Sequence, residues 1–312
     1  MAGELTKGYI GKEDLKLQTN TDDAETFERV TSVGGSATIT KVPDIWGGTG
    51  KINVAEVQIA GSELLEKIIA DYLKGYIRGL EVSYKDADEI YVSAGMIHIN
   101  DGTDDVILYC DSQLTKLLSG LGTTEMRYIY VDRPASGSTI VAADIEHNTT
   151  APTYSHSKKG WYHPTTTDLR FIGSICIDGS GHVVKGYRSR GGNGWTYDAY
   201  QTLDADETGT TWTDIPNIAN FTPAIDNAKI TLMADIDSTD NGNAKALYIR
   251  KNGSSATNGT LIAYVMGTTA GNYMWVITEY PVDSSGKIEY KIGPNNTNTT
   301  ARFYSQGYWE PR

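Results

Sequence analysis

His147, His156 and His163 crowd one Pro/Thr-rich stretch, with Asp144 and Glu146 close by. Imidazoles of this kind can converge on a metal, including on a trimer axis. No close-spaced pair such as His-x-His is present, so the competing expectation is three solvated loop histidines. Asp235-Ile-Asp237-Ser-Thr239-Asp240-Asn241-Gly242 offers oxygen ligands in the manner of a calcium loop. Its register is broken, and Tyr248 stands where a bidentate Glu would close an EF-hand, so a turn between two strands is expected. Trp46-Gly-Gly-Thr-Gly50-Lys51 echoes a phosphate loop but fails it. Ile45 occupies the position of the first glycine, and Ile52 replaces the hydroxyl residue after the lysine.

Cys110 and Cys176 each sit in an apolar run. They read as two buried thiols, with a disulfide possible but not required, and a zinc site would need more ligands. No serine nucleophile elbow and no Cys/His dyad is apparent. Paired carboxylates for glycoside hydrolysis need no fixed spacing. The aromatic residues Trp195, Tyr197, Tyr200, Trp212, Tyr273, Trp275, Tyr304, Tyr308 and Trp309 are the remaining chemistry. Sugar rings stack on exposed aromatic faces. The competing role is filling a core or a subunit seam.

The elements that must position these residues are almost all strands. Gly 33 and Tyr 20 are high, Phe 4 is low, and hydrophobic residues make up 39% of 312. Tyr suits half-exposed strand faces, where the ring is buried and the hydroxyl stays wet. The formal net charge of -12 argues against nucleic acid and anionic membranes. No apolar run approaches a membrane span, and the first residues lack the apolar region of a signal peptide.

Residues 1–60 are polar and broken by glycine, with short strand expectations over 37–42 and 52–57. Such a segment cannot bury a core alone and reads as an arm ordered by a partner. Ser62 can cap a helix over 62–80, with Gly75 or Gly79 as its end. Leu65, Ile69, Tyr72 and Tyr76 make its stripe, widened by Leu64, Ile68, Leu73 and Ile77. So broad an apolar face suits a three-chain bundle or packing on its own domain. Beyond residue 80 the period is two. Strands are expected over 96–99, 106–110, 127–132, 170–177, 228–236, 244–251, 260–265, 273–280, 287–292 and 301–309. Residues 113–120 read as a short second helix and 149–167 as a loop. The glycine-rich run at 188–194 reads as a domain boundary. The expected organisation is mainly β: an extended arm (1–60), a short helical stalk (61–80), a β-domain (81–190) and a C-terminal β-sandwich or jelly roll (191–312).

Two stretches carry a resemblance. Phe171-Ile-Gly-Ser-Ile-Cys-Ile-Asp-Gly-Ser-Gly-His-Val183, with residues 80–99 before it, resembles a β-domain of tailed-bacteriophage structural and tail-fibre proteins. Residues 281–292, followed by Arg302-Phe-Tyr-Ser-Gln-Gly-Tyr-Trp309, resemble the jelly-roll heads of phage receptor-binding proteins. The resemblance implies a non-enzymatic homotrimeric virion fibre made in the host cytoplasm. Residues 1–60 would contact other virion proteins, and the head would meet a host-surface glycan or protein receptor. No cofactor, nucleic acid or membrane insertion is implied. The receptor-contact candidates are Asp237, Asp240, Asn241, Asn252, Asn258, Asn295 and Asn298 in loops, with Tyr308 and Trp309 as a stacking face. A structural decoration of head, neck or baseplate and a carbohydrate-active tailspike are the other two readings.

A trimer should appear as three chain masses in native buffer. Ile69→Asp should weaken it, because each copy would bring an unpaired charge to the seam. A stable monomer at micromolar concentration would contradict it.

Overall fold

The computed structural model describes residues 27–30, 39–42, 46–47, 51–52, 73–102, 104–166, 168–188, 193–240, 242–266, 272–294 and 298–312. The chain forms two compact units, Met1–Ile69 and Ala70–Arg312. In the first, Phe27–Val30 pairs antiparallel with Ile39–Val42, and Trp46–Gly47 with Lys51–Ile52. Leu65, Ile69 and Tyr72 of the expected stalk lie outside the described residues.

The end of that expected helix is corrected. Residues 73–75 form a turn in which the Tyr76 N–H donates to Leu73 O at 2.7 Å, and Ile77–Gly79 is a strand. Gly75 and Gly79 adopt φ of 79° and 68°, which a right-handed helix cannot contain. Leu80 is fully buried in the β core, in keeping with the period-two pattern that begins there. Two further expectations fail. Within 113–120, Leu114–Leu117 is a strand paired with Glu89–Val92. Within 149–167, Thr153–Ser155 and Gly160–Tyr162 form a hairpin.

Within the second unit, the described residues 77–177 form three antiparallel sheets. Gly95–Asn100 is the centre of one, between Ile77–Gly79 and Asp105–Cys110. Glu89–Val92 is the centre of the second, between Val82–Tyr84 and Leu114–Leu117. The third runs in the order Ile145–Asn148, Glu125–Val131, Arg170–Ile177, Gly160–Tyr162, Thr153–Ser155. All eight residues of Arg170–Ile177 are buried, so its apolar run is a strand covered on both faces. It closes on itself as expected: Asp178 Oδ1 accepts from the backbone of Ser180 and His182, and Ile177 bridges Val183. Cys110 and Cys176 are free and buried.

Two more antiparallel sheets follow. One runs Gly186–Arg188, Gly194–Glu207, Thr299–Trp309, Lys229–Ser238, Asn272–Pro281. The other runs Thr213–Asp214, Ile288–Gly293, Ala244–Lys251, Thr260–Met266. Counted from Gly194–Glu207 in chain order, the eight strands lie as 1-8-3-6 and 2-7-4-5. That is the winding of a jelly roll. The sheets share one core: Ile230, Leu232, Ala234, Ile236 and Phe303 from the first, Leu247, Ile249, Ile288, Tyr290 and Ile292 from the second. The Tyr290 and Phe303 rings meet across it at 5.0 Å.

A buried charge network joins the roll to the sheets that precede it in the chain. Arg188 and Glu310 side chains are 4% and 0% exposed, with Nη1 and Oε1 2.6 Å apart. Arg188 also donates from Nε to Val82 O and from Nη2 to Ser174 O, both at 2.9 Å. Glu310 accepts from the Ser174 N–H at 2.9 Å and from the Ser174 hydroxyl. Tyr308 donates to Ser174 O at 2.8 Å, and Arg312 donates to Gly79 O and Leu80 O. A side chain at Gly173 would place its Cβ 2.4 Å from Arg188 Nη2, so glycine there admits the guanidinium.

His98 is a second buried polar group. Its Nδ1 accepts from the Gly75 N–H at 3.4 Å, and its Nε2 lies 2.9 Å from Asp105 Oδ1. Burial is the largest influence on the imidazole and holds its pKa below the usual histidine range, against the pull of Asp105. The unfolded chain therefore takes up a proton first as pH falls, and stability drops through that range. Chemical denaturation at neutral and mildly acidic pH should show this loss, and His98→Asn should flatten it. Equal slopes in the two proteins would contradict the assignment.

Candidate functional site

The roll disperses the expected contact loops. Successive antiparallel strands turn at opposite ends. Thr239, Asp240 and Asn298 therefore share one end, tied by the Thr239 N–H to Asn298 O at 3.0 Å and by Ser238 Oγ to Thr299 Oγ1 at 2.9 Å. Residues 252–259 lie at the other end, where Asn252 donates to Asp283 Oδ2 and Asn258 is exposed. Asp240 is held by the Nζ of fully buried Lys245, which with Asn243 keeps its carboxyl below the usual range. Asn298 is exposed with φ of 49°. Asn241 and Asn295 lie outside the described residues.

Tyr308 is corrected. It is 2% exposed and its hydroxyl is spent on Ser174. Along Thr299–Trp309, inward and outward residues alternate until Gln306, where one residue is inserted opposite the Thr231–Leu232 step. This bulge slips the alternation by one, turning Tyr308 inward and Trp309 outward. The Trp309 ring lies under Lys229 Nζ at 5.8 Å.

The three histidines separate. His163 is buried, its Nδ1 accepting from the Thr166 N–H at 3.1 Å and its ring edge-on to Tyr130. His147 Nε2 accepts from the Ser119 N–H, and His156 packs on Tyr154. Among the described residues no group of three His, Cys, Asp or Glu side chains is placed to hold a metal.

The aromatic residues divide sharply. Trp195 and Tyr197 fill the core. Trp212 lies between Arg250 and Lys291, at 4.3 and 4.9 Å. Tyr273, Trp275 and Ile277 share one face of the edge strand Asn272–Pro281, at 70%, 47% and 59% exposure; Met274 on the other face is 45% exposed, and Tyr200 is also exposed. An edge strand usually carries charge that deters pairing, yet the only charge on this one is Glu279.

Register builds these residues into rows across three neighbouring strands. Asp235 pairs with Trp275 on one side and Arg302 on the other. Asp237 pairs with Tyr273 and Thr300, and Met233 with Ile277 and Tyr304. The Trp275 and Tyr304 rings reach over the strand between them and stack at 5.7 Å and 29°. Tyr200 meets Tyr304 edge-on at 5.1 Å. Asp235, opposite Trp275, is 1% exposed, and neither carboxylate oxygen has a hydrogen bond. Arg302 draws the acids together, its guanidinium 3.6 Å from Asp206, 3.7 Å from Asp235 and 3.4 Å from Asp237. Burial holds the Asp235 carboxyl above the usual carboxylate range, with Arg302 acting the other way.

Arg302, Met233 and Asp206 were not singled out in the sequence. Their signal lay in the uncharged Tyr-x-Trp-x-Ile alternation, which marks the face but not its neighbours.

No protein-family model matches the chain, and no curated protein matches it. Among solved structures it overlaps that of infectious bursal disease virus Gx strain at 11% identity, over 75% of this chain and 72% of that one, with a TM-score of 0.20. The T13 viral particle of infectious bursal disease virus overlaps at 10% identity, over 74% and 66%, with a TM-score of 0.18. The VP2 subviral particle of that virus overlaps at 12% identity, over 75% and 71%, also with a TM-score of 0.18. Superpositions this loose carry no inference about the chain.

A buried carboxylate without hydrogen bonds is costly at neutral pH. With its folded pKa raised, Asp235 favours the folded state at low pH, and that contribution is lost as pH rises. Asp235→Asn should therefore be more stable than wild type at pH 7 by ~1 kcal/mol. The advantage should shrink on acidification in thermal melts. A less stable variant at pH 7 would contradict this.

Proposed function

We propose that the chain is a non-enzymatic attachment protein of a virus particle, working as a homotrimer. Residues 1–60 contact other virion proteins, and the outer face of the five-stranded sheet meets a host-surface glycan. The observation that carries the reading is the row Trp275–Asp235–Arg302 with Tyr304 and Tyr200 beside it. Exposed rings offer stacking area to a sugar, while Asp237, Asp206 and Arg302 offer acceptors and donors to its hydroxyls. The jelly-roll winding supports it, because lectin and capsid domains use that architecture. The stretches that resemble phage fibre proteins support it as well. Leu261, Tyr264 and Met266, exposed on the opposite sheet, are apolar surface that assembly would cover. Three copies would give avidity to a weak single site.

Labelled full chain should bind host cells and compete with virus particles for adsorption. Trp275→Ala should lose about tenfold or more of that binding while keeping the wild-type fold. Wild-type binding by Trp275→Ala would contradict this face as the contact. Failure of the wild type to compete would favour a purely structural role in the virion.

A further inference from the structure

We infer that the group recognised by this face is a cation, an ammonium carried on a sugar or small apolar body. This rests on the reading of the face as a ligand site.

Three carboxylates and one guanidinium lie around the rings, so the cluster is acidic. A phosphate or carboxylate ligand would need a free cation, and Arg302 is already shared among Asp206, Asp235 and Asp237. An acidic cluster alone would say little. The further observation within it is Asp235, 1% exposed, without a hydrogen bond on either oxygen and with Arg302 no nearer than 3.7 Å. It stands opposite Trp275 in the sheet, one row from Tyr304, where a water-excluded negative charge adds to the negative potential at the ring faces. Aromatic faces attract ammonium groups through their quadrupoles, and Trp does so best. Trp275, Tyr304 and Tyr200 supply three rings in contact, and Tyr273 stands one row away beside Asp237. Asp237 and Asp206 remain partly exposed at the two sides as counter-charges. The chain's net charge of -12 favours the same ligand sign at long range.

Calorimetry on the full chain with choline and glucosamine tests this. The controls are the neutral isostere 3,3-dimethyl-1-butanol and N-acetylglucosamine. The amines should bind about tenfold tighter than their neutral counterparts, and added salt should weaken them. Trp275→Leu keeps apolar bulk but removes the π face, and should lose most of the preference. Asp237→Asn and Asp206→Asn should each reduce it several-fold. Equal binding of choline and its isostere would overturn the inference. So would amines that fail to bind while cell attachment still depends on Trp275, a result that leaves the attachment reading intact.

Discussion

The arrangement rests on one desolvated ion pair, Arg188 with Glu310. Two charges buried this deeply cost more to desolvate than their attraction returns unless their other hydrogen bonds are also made. Here they are made. Arg188 reaches Val82 O and Ser174 O, and Glu310 takes both the amide and the hydroxyl of Ser174. Arg188 precedes the first strand of the roll and Glu310 follows its last, so the pair clamps both ends of the roll to Arg170–Ile177. Its worth lies in uniqueness of register more than in net stability, since a slipped strand would leave a charge buried alone.

That register controls the candidate site. Thr299–Trp309 lies between Gly194–Glu207 and Lys229–Ser238, and it carries Arg302 and Tyr304. Moving it by one residue would send both side chains into the core. The Gln306 bulge next to the network is where the strand leaves regular alternation, which lets Tyr308 join Ser174 while Tyr304 still faces outward. The site also holds an ionised group at a cost. A buried Asp235 without a hydrogen bond is the kind of expense that folds retain at sites of function.

Period-two alternation made most of the fold legible. The strand expected over 244–251 has those bounds, and 273–280 and 301–309 lie within observed strands. The glycine turn after Ile177 was readable because only a few residues supply positive φ. Gly75 was legible as an end to any helix, but Tyr76, Ile77 and Leu80 also fit a helical stripe, and that stripe is a strand entry instead. Gly194–Glu207 gave no strand signal, since its pairing is bulged at several points beyond Thr196 and no single alternation runs its length. The site itself was only half legible. Its aromatic members stood out, but residues 206, 235, 275 and 302 meet only through sheet register, which no local pattern encodes.

A double-mutant cycle on Arg188→Met and Glu310→Gln, read by chemical denaturation, tests the central claim most directly. Each single change should cost about 3–5 kcal/mol by leaving one buried charge or its partners unpaired. The double variant should cost far less than their sum, with a coupling of about 2–3 kcal/mol. Costs that add to within about 0.5 kcal/mol would show that the two residues act independently and that the network does not set the register of the roll.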